Sequence, residues 1–204
     1  MEEEEYFWPE PGDQLFQLGL GKHVACVGFR KGDWYPYIQG YKRAADTLVA
    51  HLVDQNRYEV DFLVFPIAFL YRQCIELQLK VVINDGNDFL DKPYTMKPTH
   101  KLDVLWTQCR EIIQAIWPEE NPSETLDAVE ELLKEFSKAD PTSTAFRYPV
   151  KNNGNPELSA IEHIDIEHLA RNAAKIYNLL NASNTAIQRM ADEKLEMESY
   201  YDLY

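Results

Sequence analysis

The chain has 204 residues, 45% hydrophobic and 26% charged, which suits one ordinary globular domain with decorated ends and makes two domains a strain. Its formal net charge of -14 opposes a non-specific nucleic-acid or anionic-membrane surface, because phosphate binding is driven by Lys and Arg releasing counterions. Specific contact with RNA or a nucleotide through a local basic pocket stays open. Cys26, Cys74 and Cys109 form no CxxC and are odd in number. Two of them fall in apolar helical patterns, as small core residues of a reducing, cytoplasmic compartment do.

Residues 1–36 read as an N-terminal arm and strap. The start MEEEEYFWPEPGD is acidic and lacks an apolar core, so it is read as a flexible arm and not as a signal peptide. VACVGF, residues 24–29, is a short apolar run between turn signals and is expected to be a lone strand or an extended strap. From Tyr37 to Gln55 the spacing of Ile38, Tyr41, Ala45, Leu48, Val49 and Leu52 predicts a helix, with Asp33 and Pro36 ahead of it as start signals.

The run Phe62 to Ile83 is apolar on nearly every side and is expected to be the buried central helix. Its length of about 22 residues would just span a bilayer. Arg72, Glu76 and Lys80 oppose that, at roughly 2.5 to 3.5 kcal/mol each at a membrane centre. They stand at i, i+4 and i+8 and so form one stripe of alternating charge. Pro66 near the start would mark a first turn or a kink. NDGNDFLDKPYTMKP, residues 84–98, reads as a polar loop that lacks the glycine and closing Glu of a calcium-binding EF-hand.

Thr99 is expected to cap a helix running to about Trp117, with Leu102, Leu105, Trp106, Cys109, Ile112, Ile113 and Ile116 inward and Pro118 as its stop. Asn121 to Glu124 resembles a capping box opening a helix to Lys138 that buries Leu126, Val129, Leu133 and Phe136; Asp140 and Pro141 end it. The long connection that follows carries Ala145 to Pro149 as an apolar anchor. A last helix begins near Asp165, with Leu169, Ala173, Ile176, Leu180, Ala186 or Ile187, and Met190 inward, and residues 191–204 form an acidic, aromatic tail that is expected to fray. The fold so predicted is all-α, an antiparallel bundle of four to five helices over residues 37–190 with a short extended N-terminal strap.

The usual strong catalytic and phosphate-binding motifs are absent from the sequence, and His163 and His168 are spaced for different helix faces, so no metal or cofactor is expected. What remains is the Arg72, Glu76 and Lys80 stripe, His100, and Arg147 with Tyr148. The stripe is either a structural ion-pair ladder or the lining of a binding cleft, and it needs partners from other segments if it is buried. His100 either meets solvent or points at Glu76, and Arg147 with Tyr148 either forms part of a site or ties the loop to the bundle.

YRQCIELQLK (Tyr71 to Lys80), THKLDVLW (Thr99 to Trp106) and FRYP (Phe146 to Pro149), in this order around a polar loop, resemble the HEPN superfamily of small helical domains. The resemblance spans roughly residues 37 to 185. It implies a helical bundle, commonly a homodimer, from a prokaryotic defence or toxin-antitoxin type system with a protein partner of that system. The ribonuclease members carry an Arg followed about four to six residues later by a His, a pair suited to proton transfer at the RNA 2'-OH. None of the five histidines here has an Arg at that distance before it. The expectation is therefore a non-catalytic protein-binding or regulatory module that uses Arg72, Glu76, Lys80, His100, Arg147 and Tyr148 for binding. The alternative is a metal-independent endoribonuclease that uses His100 with Arg72 or Arg147 in a rearranged site.

Overall fold

A computed structural model describes residues 8–16, 19, 22–27, 32–55, 57–93, 98–118, 123–159 and 161–201. The chain divides into two units, Met1–Asp33 and Trp34–Tyr204. In the first, Asp13 folds back on Glu10, with a backbone bond of 3.1 Å one way and its carboxylate accepting from Glu10 N at 2.8 Å the other. Residues 22–27 hold a turn and a bend and no strand, and residues 28 and 29 of the expected strap lie outside the described residues.

The second unit is all-helical: α1 (Tyr35–Gln55), α2 (Val60–Phe89), α3 (Leu102–Ile116), α4 (Ser123–Ala139) and α5 (Ile166–Tyr201). Helix α2 is the axis, and α1, α3 and α5 pack around it. Ile67, Ala68, Ile75, Leu79, Val82 and Ile83 are its core side chains, and the predicted inward residues of α3 and α4 are buried with them, except Ile116, which is half-buried at the end of α3. No helix among the described residues is long and apolar enough to cross a membrane.

The short link between α1 and α2 turns the chain straight back, so Tyr71 donates to Asp46 at 2.8 Å. α3 and α4 also run antiparallel, joined by Arg110 to Asp127 and Glu130, both at 2.6 Å. The other neighbours of α2 run parallel to it. Gln78 donates to Tyr177 O and Gln188 to Asp85, so the numbers rise together along α2 and α5; along α3, His100 meets Glu76 and Ile112 meets Gly86. The long connections before α3 and α5 permit this mixed arrangement.

Three boundaries differ from expectation. α2 continues six residues into the predicted polar loop. Gly86, which reads as a turn residue, sits inside it because a Cβ there would collide with Ile112 Cγ2: glycine serves the close approach of α3, and Asp91 at φ 53° closes the helix instead. Thr99 Oγ1 accepts from Lys101 N at 3.2 Å, so it orders the residues before α3 while Lys101 takes the cap position. α5 runs through Tyr201, past the expected end at Met190, with Lys194 paired to Asp91, and residues 202–204 of the expected tail lie outside the described residues. Its start is as predicted: Asp165 Oδ1 accepts from His168 N at 2.8 Å. Pro66 lies inside α2, in its second turn, and Asn121 and Pro122 of the expected capping box lie outside the described residues.

Candidate functional site

The helical spacing of Arg72, Glu76 and Lys80 puts them on the face of α2 that meets the start of α3 and the end of α4. All three are buried, Arg72 and Glu76 at 1% exposure or less. Glu76 is the hub. Its Oε1 accepts from Lys80 Nζ at 2.7 Å and lies 2.8 Å from His100 Nδ1, and its Oε2 accepts from Arg72 Nη1 at 3.2 Å.

Arg72 reaches two further segments. Nη2 donates to the His100 carbonyl at 2.9 Å and to the Asp140 carbonyl at 3.2 Å, and Nε lies 3.2 Å from Asp140 Oδ2 as an ion pair without the alignment of a hydrogen bond. Two buried cations thus balance two buried carboxylates, as burial of charge requires. Burial lowers the Arg72 pKa against the opposing pull of Asp140 and Glu76; its guanidinium stays charged at neutral pH. Burial also pushes Glu76 up, but the Lys80 and His100 contacts outweigh it and hold the carboxyl below its ordinary value. With Glu76 ionised, an acceptor only, His100 Nδ1 is the donor of their contact. The His100 side chain is 65% exposed, so the imidazole covers the network from the solvent side.

Asp140, which reads in sequence only as a helix stop, is the fourth charged member of the network. Its Oδ1 accepts from Thr144 N at 2.8 Å and Ala145 N at 3.1 Å, so one carboxylate links the Arg72 guanidinium to the turn that opens the long connection. Asp before Pro and Ser/Thr is a turn signal; nothing in that signal says that the carboxylate faces inward.

The same turn carries Arg147 and Tyr148. Phe146 is buried edge-on against Phe136, with ring centroids 6.3 Å apart, so the predicted anchor holds. Arg147 is exposed; its Nε donates to Ser143 O at 2.7 Å, and its guanidinium carbon lies 5.7 Å from the Phe69 ring centre and 5.6 Å from that of Tyr148. Arg147 and Tyr148 line a cleft of about 490 Å³ that Arg72, Glu76 and His100 do not line. The candidate residues therefore form two places: a closed network under His100, and an open cleft at Arg147 and Tyr148.

Elsewhere, His163 and His168 line an apolar cavity of about 280 Å³ between α4 and α5. Among the described residues no three His, Cys, Asp or Glu side chains gather closely enough for a metal ion. Burial pushes the Cys74 thiol up to about 12 and raises Cys109 as well, so neither is a ready nucleophile. Comparison with protein-family models, with curated proteins and with solved structures finds no match for this chain.

Proposed function

We propose that this protein is a non-catalytic, HEPN-like binding or regulatory module of a prokaryotic defence or toxin-antitoxin type system, acting through protein contacts and assembling as a homodimer. One observation carries the non-catalytic part: Arg72 and Glu76 are fully buried and committed to each other, to Lys80 and to Asp140. An arginine that stabilises a developing phosphate charge must present its terminal nitrogens to substrate. Arg72 spends its own on Glu76 and on two backbone carbonyls.

Contact with other proteins is supported by the aromatic surface where α2 begins, Tyr58 at 89% and Phe62 at 74% exposure. Mass by light scattering at tens of micromolar tests the assembly. A dimer mass is expected, and a monomer would remove that part of the proposal.

The second reading, a metal-independent endoribonuclease, is favoured by the Glu76 and His100 contact. A buried carboxylate orients an exposed imidazole with Nε2 outward, an arrangement that serves general bases. Arg147, one of the two cations that reading would use, lines a cleft that His100 does not. Cleavage of labelled RNA by wild type but not by His100→Ala would replace the first reading with the second.

A further inference from the structure

We propose that the cleft at Arg147 and Tyr148 docks an extended, acidic peptide segment of a partner protein. This rests on the binding-module reading and gives the partner's chemistry.

The loop around these residues is built at a cost that the packing of the bundle does not require. Ser143, buried and not a glycine, adopts φ 62°, in the left-handed region, and its carbonyl is the acceptor for Arg147 Nε. Asp140 pins the next two backbone N–H groups while held by buried Arg72. The Phe69 and Tyr148 rings flank the Arg147 guanidinium at cation–π distance and favour its position. No carboxylate pairs with Arg147 among the described residues, so a pre-oriented donor fork is left for a ligand. Four residues on, Lys151 likewise has no ion pair among them, in a chain of 34 acidic against 20 basic residues.

Tyr148 lines two clefts. One, of about 490 Å³, is walled by Phe65, Phe146, Pro149 and Pro156; the other, of about 710 Å³, is lined by Lys151 with threonines and asparagines. An extended strand sends alternate side chains to opposite sides, so an aromatic ring or proline fits the first cleft and an acidic side chain meets Lys151 in the second. Glu157 lines both clefts and accepts from Thr144 Oγ1 at 2.9 Å with Oε1, which leaves Oε2 for a peptide N–H. A phosphodiester offers that oxygen no donor, whereas a peptide backbone does, which favours peptide over RNA.

Fluorescence anisotropy with short labelled peptides built from Glu, Pro and Tyr, beside neutral and Lys-containing counterparts and a single-stranded RNA, tests this. The acidic peptides should bind the full chain, more weakly as salt rises. Arg147→Ala and Lys151→Glu should each weaken them at least about tenfold with the helical circular dichroism unchanged, and Arg147→Lys should not restore binding. Lys151 lies outside the core, so loss in that variant cannot come from misfolding. Acidic peptides that bind no better than neutral ones, binding indifferent to both substitutions, or RNA taken up at this cleft in place of peptide would each overturn the inference. The cleft fails alone if peptides do not bind while the light-scattering dimer persists; His100-dependent RNA cleavage defeats the binding-module reading itself.

Discussion

Glu76 carries the heaviest single-residue consequence, because its buried carboxylate serves Arg72, Lys80 and His100 at once. Glu76→Ala should cost about 3–5 kcal/mol in urea melts by stranding buried cations, whereas an exposed ladder would lose under about 1 kcal/mol. The pH dependence follows from the lowered folded-state pKa of Glu76. Its stability contribution is complete above the ordinary carboxylate value and is lost as pH falls through the lower folded value, so wild type should weaken on acidification more than Glu76→Gln does. The charged stripe was legible in sequence because helical spacing alone defines it. Asp140 was not, since it meets Arg72 across 68 positions and a local turn signal carries no information about such a partner. His100 was legible as a candidate, but its contact with Glu76 depends on where α3 starts along α2, which helical spacing does not set.

The helices themselves were read well wherever apolar spacing decides them: Leu126, Val129, Leu133 and Phe136 are the buried positions of α4. Their ends were read less well where tertiary contact overrides local chemistry, as at Gly86. Gly86→Ala should lower stability by about 1–3 kcal/mol, because the added methyl meets Ile112 in a packed interface. A thermal melt with no shift would mean that α3 yields freely there. The loop after α4 gives a separate expectation. Asp140→Ala frees the Thr144 and Ala145 N–H groups and unpairs Arg72, so limited proteolysis should open residues 141–159 before the helices are cut. Equal protease resistance in wild type and variant would show that Asp140 does not hold the loop.

At the scale of the molecule, the bundle buries the charged stripe of α2 among its own partners, while Arg147 and Tyr148 on the loop and Phe62 at the start of α2 stay exposed. All-α architecture followed from periodicity; the parallel pairing of α2 with α3 and α5 did not, because long connections leave helix direction open. The measurement that bears most directly on the account is incubation of the purified protein with a mixed labelled RNA, without metal and at low salt, where electrostatic attraction is largest. With Arg72 committed to Glu76 and a net charge of -14, the RNA should remain intact. Cleavage by wild type that disappears in His100→Ala would contradict the account and make His100 a catalytic acid or base.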